Sequence, residues 1–191
     1  MILKNTFREK LDAGKPTIGT HFMFTDPDIP ELIGDTGFFD YGEFTAEYSV
    51  VDMNCLYNLA RSAQCGNLPL MIKPDQEGQG FWAQAAIGAG FKSVMFTDIR
   101  STEDIDECYR IIRPDFPEMG GSMGVKLRRP ALHGYDIDNY TQFVFQFKKM
   151  RENVVGAMTP FLIVTCKKTH KWFKFPILNK TERSIAQEIE A

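Results

Sequence analysis

The sequence predicts an α/β protein built on a parallel sheet, and the spacing of its apolar segments is the main reason. Short apolar runs lie near residues 20, 42, 71 and 94, about 25 residues apart, and amphipathic helical segments separate them. This alternation is typical of parallel strands whose two faces are covered by helices. It fits a (β/α)8 barrel or a doubly wound sheet, and the spacing alone does not choose between them.

Four strands are predicted in the first hundred residues. They cover residues 17–23, 39–45, 68–73 and 91–97, and each is rich in apolar residues. Because helices separate them, we expect neighbouring strands to be parallel and to follow sequence order.

Helix-capping residues precede the predicted helices. Asn5, Asp52 and Ser101 each stand directly before a helical pattern, as N-cap residues do. Asp28 is also expected to cap a helix, with Glu31 completing a capping box. A further helix is predicted over residues 81–89.

The pattern changes after residue 114. Residues 115–135 read as an irregular loop punctuated by glycine and proline, and residues 139–151 as a helix. Residues 154–158 are predicted to form a fifth strand. Beyond them the β-α alternation ends, so we divide the chain into residues 1–158 and an atypical tail of residues 159–191.

Charge and aromatic content mark the same change. Residues 1–140 hold 13 basic and 21 acidic residues, whereas residues 141–191 hold 9 basic and 4 acidic residues. The second segment is also crowded with phenylalanine and tryptophan. A disruption of the reading frame near residues 145–160 would explain all three changes together.

Overall composition excludes several classes of function. The net charge is -3, which does not favour nucleic acid or an anionic membrane as a partner. The start lacks the apolar stretch of a signal peptide, and no run reaches transmembrane length. The four cysteines show neither a C-x-x-C pair nor zinc-finger spacing. A reducing, cytoplasmic location is therefore expected.

Several segments together resemble the 4-hydroxy-2-oxoheptanedioate aldolases and their relatives. The resemblance covers roughly residues 3–135 and is most specific between 14 and 114. It is carried by residues 5–19, Asp40-Tyr41, Ile72-Lys73-Pro74 and Ala89-Gly90-Phe91.

The resemblance implies a fold and a chemistry. Members of that family are (β/α)8 TIM barrels that cleave 4-hydroxy-2-oxo acids to pyruvate and an aldehyde. A divalent metal (Mg, Mn or Co) on the substrate oxygens stabilises the enolate as the carbon–carbon bond breaks. The chain is thus expected to be a carbon–carbon lyase with about five barrel strands, a small 2-oxo acid as its substrate and homo-oligomeric assembly.

The family's site residues match only in part. Its third-strand arginine corresponds to Lys73, which keeps the charge without the bidentate fork. Its second-strand acid and histidine correspond to Glu47 and Tyr48, so these three residues are the catalytic candidates. His21 corresponds to a substrate-pocket aromatic, and Glu43 is the second candidate for substrate binding. The two metal carboxylates have no recognisable counterpart, so the metal ligands are unknown.

Each candidate also has a structural interpretation. Lys73 could pair with Glu77 in its loop, or with Glu43 on the neighbouring strand, since a mid-strand carboxylate needs a partner. Glu47 could be a helix-cap acid, and His21 a wall residue. The alternative to an aldolase is accordingly an inactive barrel remnant that serves as an oligomeric structural or binding protein.

Overall fold

The computed structural model describes residues 3–113, 115, 117 and 120–124, together with the backbone of three later strands. The helices are α1 Thr6–Asp12, α2 Asp28–Asp35, α3 Met53–Cys65, α4 Gln79–Ala89 and α5 Thr102–Ile112, with a 3-10 helix at Ala46–Tyr48. The strands are β1 Gly19–Phe22, β2 Tyr41–Phe44, β3 Leu70–Ile72, β4 Ser93–Ile99, β5 Gln142–Phe147, β6 Val164–Lys167 and β7 His170–Phe173.

A five-stranded parallel sheet forms the centre of the fold. Its strand order is β1-β2-β3-β4-β5, and every neighbouring pair is parallel. Among the described strands this sheet is open, with β1 and β5 at its edges, and β6 and β7 form a separate antiparallel pair. The prediction of parallel strands in sequence order is confirmed.

The two faces of the sheet carry different residues. Phe44, Ile72 and Val94 lie in register across β2, β3 and β4, and they belong to a large core that includes apolar residues of α3, α4 and α5. Met71 and Met95 alternate with them and pack instead with Phe7 of α1. Side chains of a strand alternate between faces. The helices α3 to α5 therefore cover an outer face, and α1 covers part of an inner face.

The helix α1 lies at the amino-terminal end of the strands. The Asn5 side-chain amide donates to the carbonyl of Lys92, which precedes β4, at 2.9 Å. The Thr6 hydroxyl donates to the carbonyl of Asp40, which precedes β2, at 2.9 Å. The opposite, carboxyl-terminal end of the inner face is where the strands lead into their loops.

Three of the four predicted N-caps are confirmed. The side chains of Asn5, Asp52 and Ser101 each accept a hydrogen bond from the first turn of their helix, and Ser101 forms a full capping box with Asp104. The prediction for Asp28 is wrong. The helix α2 already includes Asp28, and its N-cap is Pro27, whose side chain has no acceptor.

The prediction for residues 139–151 is also wrong. Residues 142–147 form β5, which pairs with β4 from Ser93 to Ile99. The predicted strand at 154–158 lies outside the described residues. Within the part of the chain that is described, no helix is both long enough and apolar enough to cross a membrane.

Candidate functional site

The loops after β2 and β3 bring the three catalytic candidates together. The backbone N–H of Lys73 donates to the carbonyl of Phe44 at 2.9 Å, and the N–H of Glu47 donates to the carbonyl of Lys73 at 3.1 Å. These two bonds continue the pairing of the strands beyond their formal ends. Glu47 and Lys73 are therefore held next to each other by the backbone.

An ion pair joins these two residues. The Lys73 Nζ lies 2.8 Å from Oε2 of Glu47, and both side chains are largely buried, with exposed fractions of 12% and 20%. This Oε2 is within ion-pair distance of Nζ, yet it is a buried atom that accepts no well-aligned hydrogen bond among the described residues. The ion pair with Lys73 is therefore the contact that stabilises this carboxylate oxygen.

Tyr48 lies over the same ammonium group. Its ring centroid is 5.2 Å from the Lys73 Nζ, which is within the range of a cation–π contact. The side chain is 68% exposed. The pKa of its phenol is raised, first by partial desolvation and then by the negative charge of Glu47. The three candidates thus form one cluster at the carboxyl end of β2 and β3.

Glu43 and His21 lie side by side on the inner face. They are register partners in the β1–β2 pair, and Glu43 is in turn the partner of Met71. The hydroxyl of Thr45 donates to Oε1 of Glu43 at 3.0 Å. Burial raises the pKa of the Glu43 carboxyl, and this effect exceeds the lowering by Thr45, Lys73 and His21.

Both of the structural pairings expected for Lys73 are wrong. The ion-pair partner of Lys73 is Glu47. The charge of Lys73 lowers the pKa of Glu43 without a direct ion pair, and the Glu77 side chain is exposed. Glu47 is not a helix-cap acid, since it lies inside the 3-10 helix that follows Thr45. His21 is exposed at the end of β1.

The end of β4 contributes an irregularity that its residue types do not predict. Asp98 has a φ of 56°, and the register of β4 with β5 shifts between Phe96 and Ile99. The side-chain amide of Gln76 donates to the Asp98 carbonyl at 3.5 Å, and the hydroxyl of Thr97 donates to the carbonyl of Pro74 at 3.4 Å. This β-bulge therefore holds the loop that follows Lys73. Residue types alone do not reveal such a bulge.

The described residues do not fit a metal ion. No three histidine, cysteine, aspartate or glutamate side chains converge among them. The buried oxygen of Glu47 faces the Lys73 ammonium, whose charge opposes a second cation at that position. The site consequently supplies a cation of its own and two carboxylates, and we assign none of its residues to a metal.

Several solved structures are similar to this chain in fold. An HpcH/HpaI aldolase from Desulfitobacterium hafniense matches with a TM-score of 0.63 and 20% identity, over 75% of this chain and 57% of that one. An HpcH/HpaI aldolase/citrate lyase family protein from Burkholderia cenocepacia matches with a TM-score of 0.63 and 21% identity, over 75% and 59%. Macrophomate synthase matches with a TM-score of 0.61 and 13% identity, over 78% and 56%.

The chain has the fold of the HpcH/HpaI aldolases. It spans somewhat under three-fifths of the length of these aldolase-fold structures, and its five described parallel strands correspond to part of a (β/α) barrel of that type. No protein-family profile and no curated protein matches the sequence. In barrels of this kind, the catalytic residues lie at the carboxyl ends of the strands. The cluster of Lys73, Glu47 and Tyr48 lies at that end of the aldolase fold.

Proposed function

We propose that the chain is a member of the HpcH/HpaI aldolase family and a carbon–carbon lyase that acts on small 2-oxo acids. The observation that carries the proposal is the position of Lys73, a largely buried cation at the carboxyl end of β3, held by Glu47. The sequence resemblance and the shared fold support the same reaction class.

The charges of the site suit this reaction. A 2-oxo acid brings a carboxylate and a carbonyl oxygen, and cleavage next to the carbonyl leaves negative charge on the enolate. A preorganised cation in a site with little water stabilises such a charge far better than solvent does. Lys73 supplies this cation, and Glu43, whose pKa is raised by burial, is suited to exchange a proton with the substrate carbon.

The divalent ion that the family implies is a separate expectation. No step above depends on one, because the described residues do not form a set of metal ligands. Measurements with added magnesium, manganese or cobalt, and with EDTA, test this expectation directly.

Exchange of the pyruvate methyl protons into heavy water tests the proposal, since enolisation is the half-reaction common to pyruvate aldolases. We expect exchange well above the no-protein control, and a decrease of about 10²–10³ in its rate for Lys73→Ala. Lys15→Ala is the matched control, because Lys15 is exposed and lies before β1, away from the site. Exchange no faster than in buffer under any condition would refute the proposal.

A second function is favoured by the closed Lys73–Glu47 pair. Because the cation is already neutralised by a carboxylate, the cluster could bind an anion weakly without any chemistry. Saturable binding of pyruvate, followed by calorimetry, without methyl exchange would support this binding role of an inactive barrel.

A further inference from the structure

Exposed apolar side chains are concentrated in one acidic stretch of the chain. Among the described residues, nine large apolar side chains are exposed, and eight of them lie between residues 16 and 60. The same stretch holds eight aspartates and glutamates, and it holds neither a lysine nor an arginine. Exposed apolar surface of this density is typical of a contact site, and the acidic surroundings favour a partner that is basic as well as apolar.

Five of these side chains come together at the carboxyl ends of β1 and β2. They form a surface that we call the apolar face: Met23, Phe24, Tyr48, Val50 and Met53. The hydroxyl of Ser49 donates to the carbonyl of Met23 at 2.7 Å, so the loops after β1 and β2 are in direct contact. Asp26, Asp28 and Asp52 are exposed in the segments that border this face. The apolar face is therefore surrounded by negative charge.

The chain itself contains a segment of the complementary character. Residues 164–174 include four lysines, together with Trp172 and Phe173, and no acidic residue. The backbone of this segment forms the antiparallel pair of β6 and β7. Lysines next to aromatic side chains provide both the positive charge and the apolar area that an acidic apolar surface can bind.

Within one chain, this strand pair lies at a different part of the sheet from the apolar face. The strand β6 packs beside β5, the last strand of the sheet, whereas the apolar face follows β1 and β2, the first two strands. The apolar face of one chain is therefore open to a segment from another chain.

We propose that the β6–β7 pair of one copy binds the apolar face of a second copy. Two different surfaces meet in this contact, so copies associate head to tail, into a closed ring or an open chain. Tyr48 belongs both to the apolar face and to the cluster around Lys73, and the second copy thus lies beside the candidate site. The contact itself does not depend on the reaction that we propose for that site.

Sedimentation velocity of the full chain over a range of concentrations measures this association. We expect Val50→Ser to weaken it by about tenfold or more, because Val50 is 93% exposed in the single chain and the contact buries it. Phe81→Ser is the matched control, since Phe81 is 63% exposed on α4, outside the apolar face, and should leave the association unchanged. Equal association of the original chain and Val50→Ser, or equal weakening in both variants, would overturn the proposal.

Charge reversal identifies the partner surface. One variant carries Asp26→Lys and Asp28→Lys beside the apolar face, and the other carries Lys167→Glu and Lys171→Glu in β6 and β7. Each variant alone brings like charges together, so we expect its association to weaken on the order of tenfold or more. An equimolar mixture brings opposite charges together again and should recover the association.

Circular dichroism checks that both charge variants are folded before they are mixed. Recovery in the mixture requires that the two surfaces belong to different copies, because a contact within one chain cannot be restored by mixing. An original chain that stays monomeric at every concentration, or two variants that remain apart when mixed, would contradict the proposed contact.

Discussion

At the scale of single residues, the environment of Glu43 links the site to stability. Burial raises the pKa of its carboxyl in the folded chain above the ordinary value of 4.5. Between these two pKa values the folded state binds more protons than the unfolded state, so the free energy of unfolding decreases as pH rises through this range. The stability that the raised pKa of Glu43 contributes is therefore complete only at pH values below the pKa of this carboxyl in the unfolded chain.

The decrease in the free energy of unfolding with rising pH gives a prediction for Glu43→Gln. The amide cannot ionise, so the variant should be more stable than the original chain at neutral pH and should lose this advantage near pH 4, below the ordinary pKa. Urea unfolding at the two pH values measures the difference. Asp106→Asn on the exposed side of α5 is a control that should show little change at either pH. A loss of stability in Glu43→Gln at neutral pH would contradict the prediction.

The residues of the site were predictable as a group, but their pairing was not. Lys73 follows an apolar strand, and the position of such a residue at the carboxyl end of a sheet can be inferred from the sequence. Its partner is set by the hydrogen bonds between the loops after β2 and β3, which select Glu47 over Glu43 and Glu77. The ion-pair partner of Lys73 therefore depends on how the loops after β2 and β3 align in the folded chain, and this alignment cannot be inferred from the residue types around Lys73.

At the scale of elements, the contact between α2 and α3 depends on two glycines. A Cβ atom built on Gly34 of α2 would overlap the backbone of Gly66 at the end of α3. The backbone atoms of Gly66 cannot rotate out of the way as a side chain can. A side chain at position 34 would therefore force α2 and α3 apart. Gly80 of α4 differs, because a Cβ there would meet Ile111 at an ordinary contact distance of 3.7 Å.

Gly34 and Gly80 both lie within helices, so replacing each of them with alanine gives a matched pair of variants. We expect Gly34→Ala to lower the free energy of unfolding by about 1–3 kcal/mol, as overpacking does. Gly80→Ala should raise it by roughly 0.4–1 kcal/mol, since alanine restricts the unfolded chain and fits the helix. Chemical denaturation of both variants measures the effects. Equal changes in the two would show that the close approach of α2 to Gly66 is not a constraint.

The strand β5 shows how an element can be missed. Residues 139–151 suggested a helix, yet Phe143, Phe145 and Phe147 recur at every second position within β5. Period-two spacing is the signal of a strand with one apolar face. The first four strands were predicted because helical segments separate them at intervals of about 25 residues, a signal that the sequence around residues 139–151 does not offer.

At the scale of the whole molecule, apolar side chains are exposed just before the first two strands of the sheet. Ile18 and Phe38 are 60% and 76% exposed, and they lie just before β1 and β2. Among the described strands, β1 has a neighbour on one side only. Exposed edges with apolar neighbours favour association with another segment or another chain.

We therefore expect the purified chain to be a homo-oligomer, or to cover this edge with residues 159–191. Light scattering coupled to size-exclusion chromatography gives the mass of the particle in solution. A chain truncated after residue 158 is the comparison, and we expect it to have a larger assembly or a lower stability. A monomer that keeps its stability after this truncation would contradict both possibilities.

The short helix α1 has a role that its size does not suggest. Through Asn5 and Thr6 it is bonded to the segments that precede β4 and β2, so it spans the strand between them. These two hydrogen bonds restrain the starts of β2 and β4 relative to each other. Glu43 lies in β2 and Lys73 directly follows β3, so both residues belong to strands that α1 restrains. We therefore expect loss of the Asn5 hydrogen bond to alter the relative positions of Glu43 and Lys73.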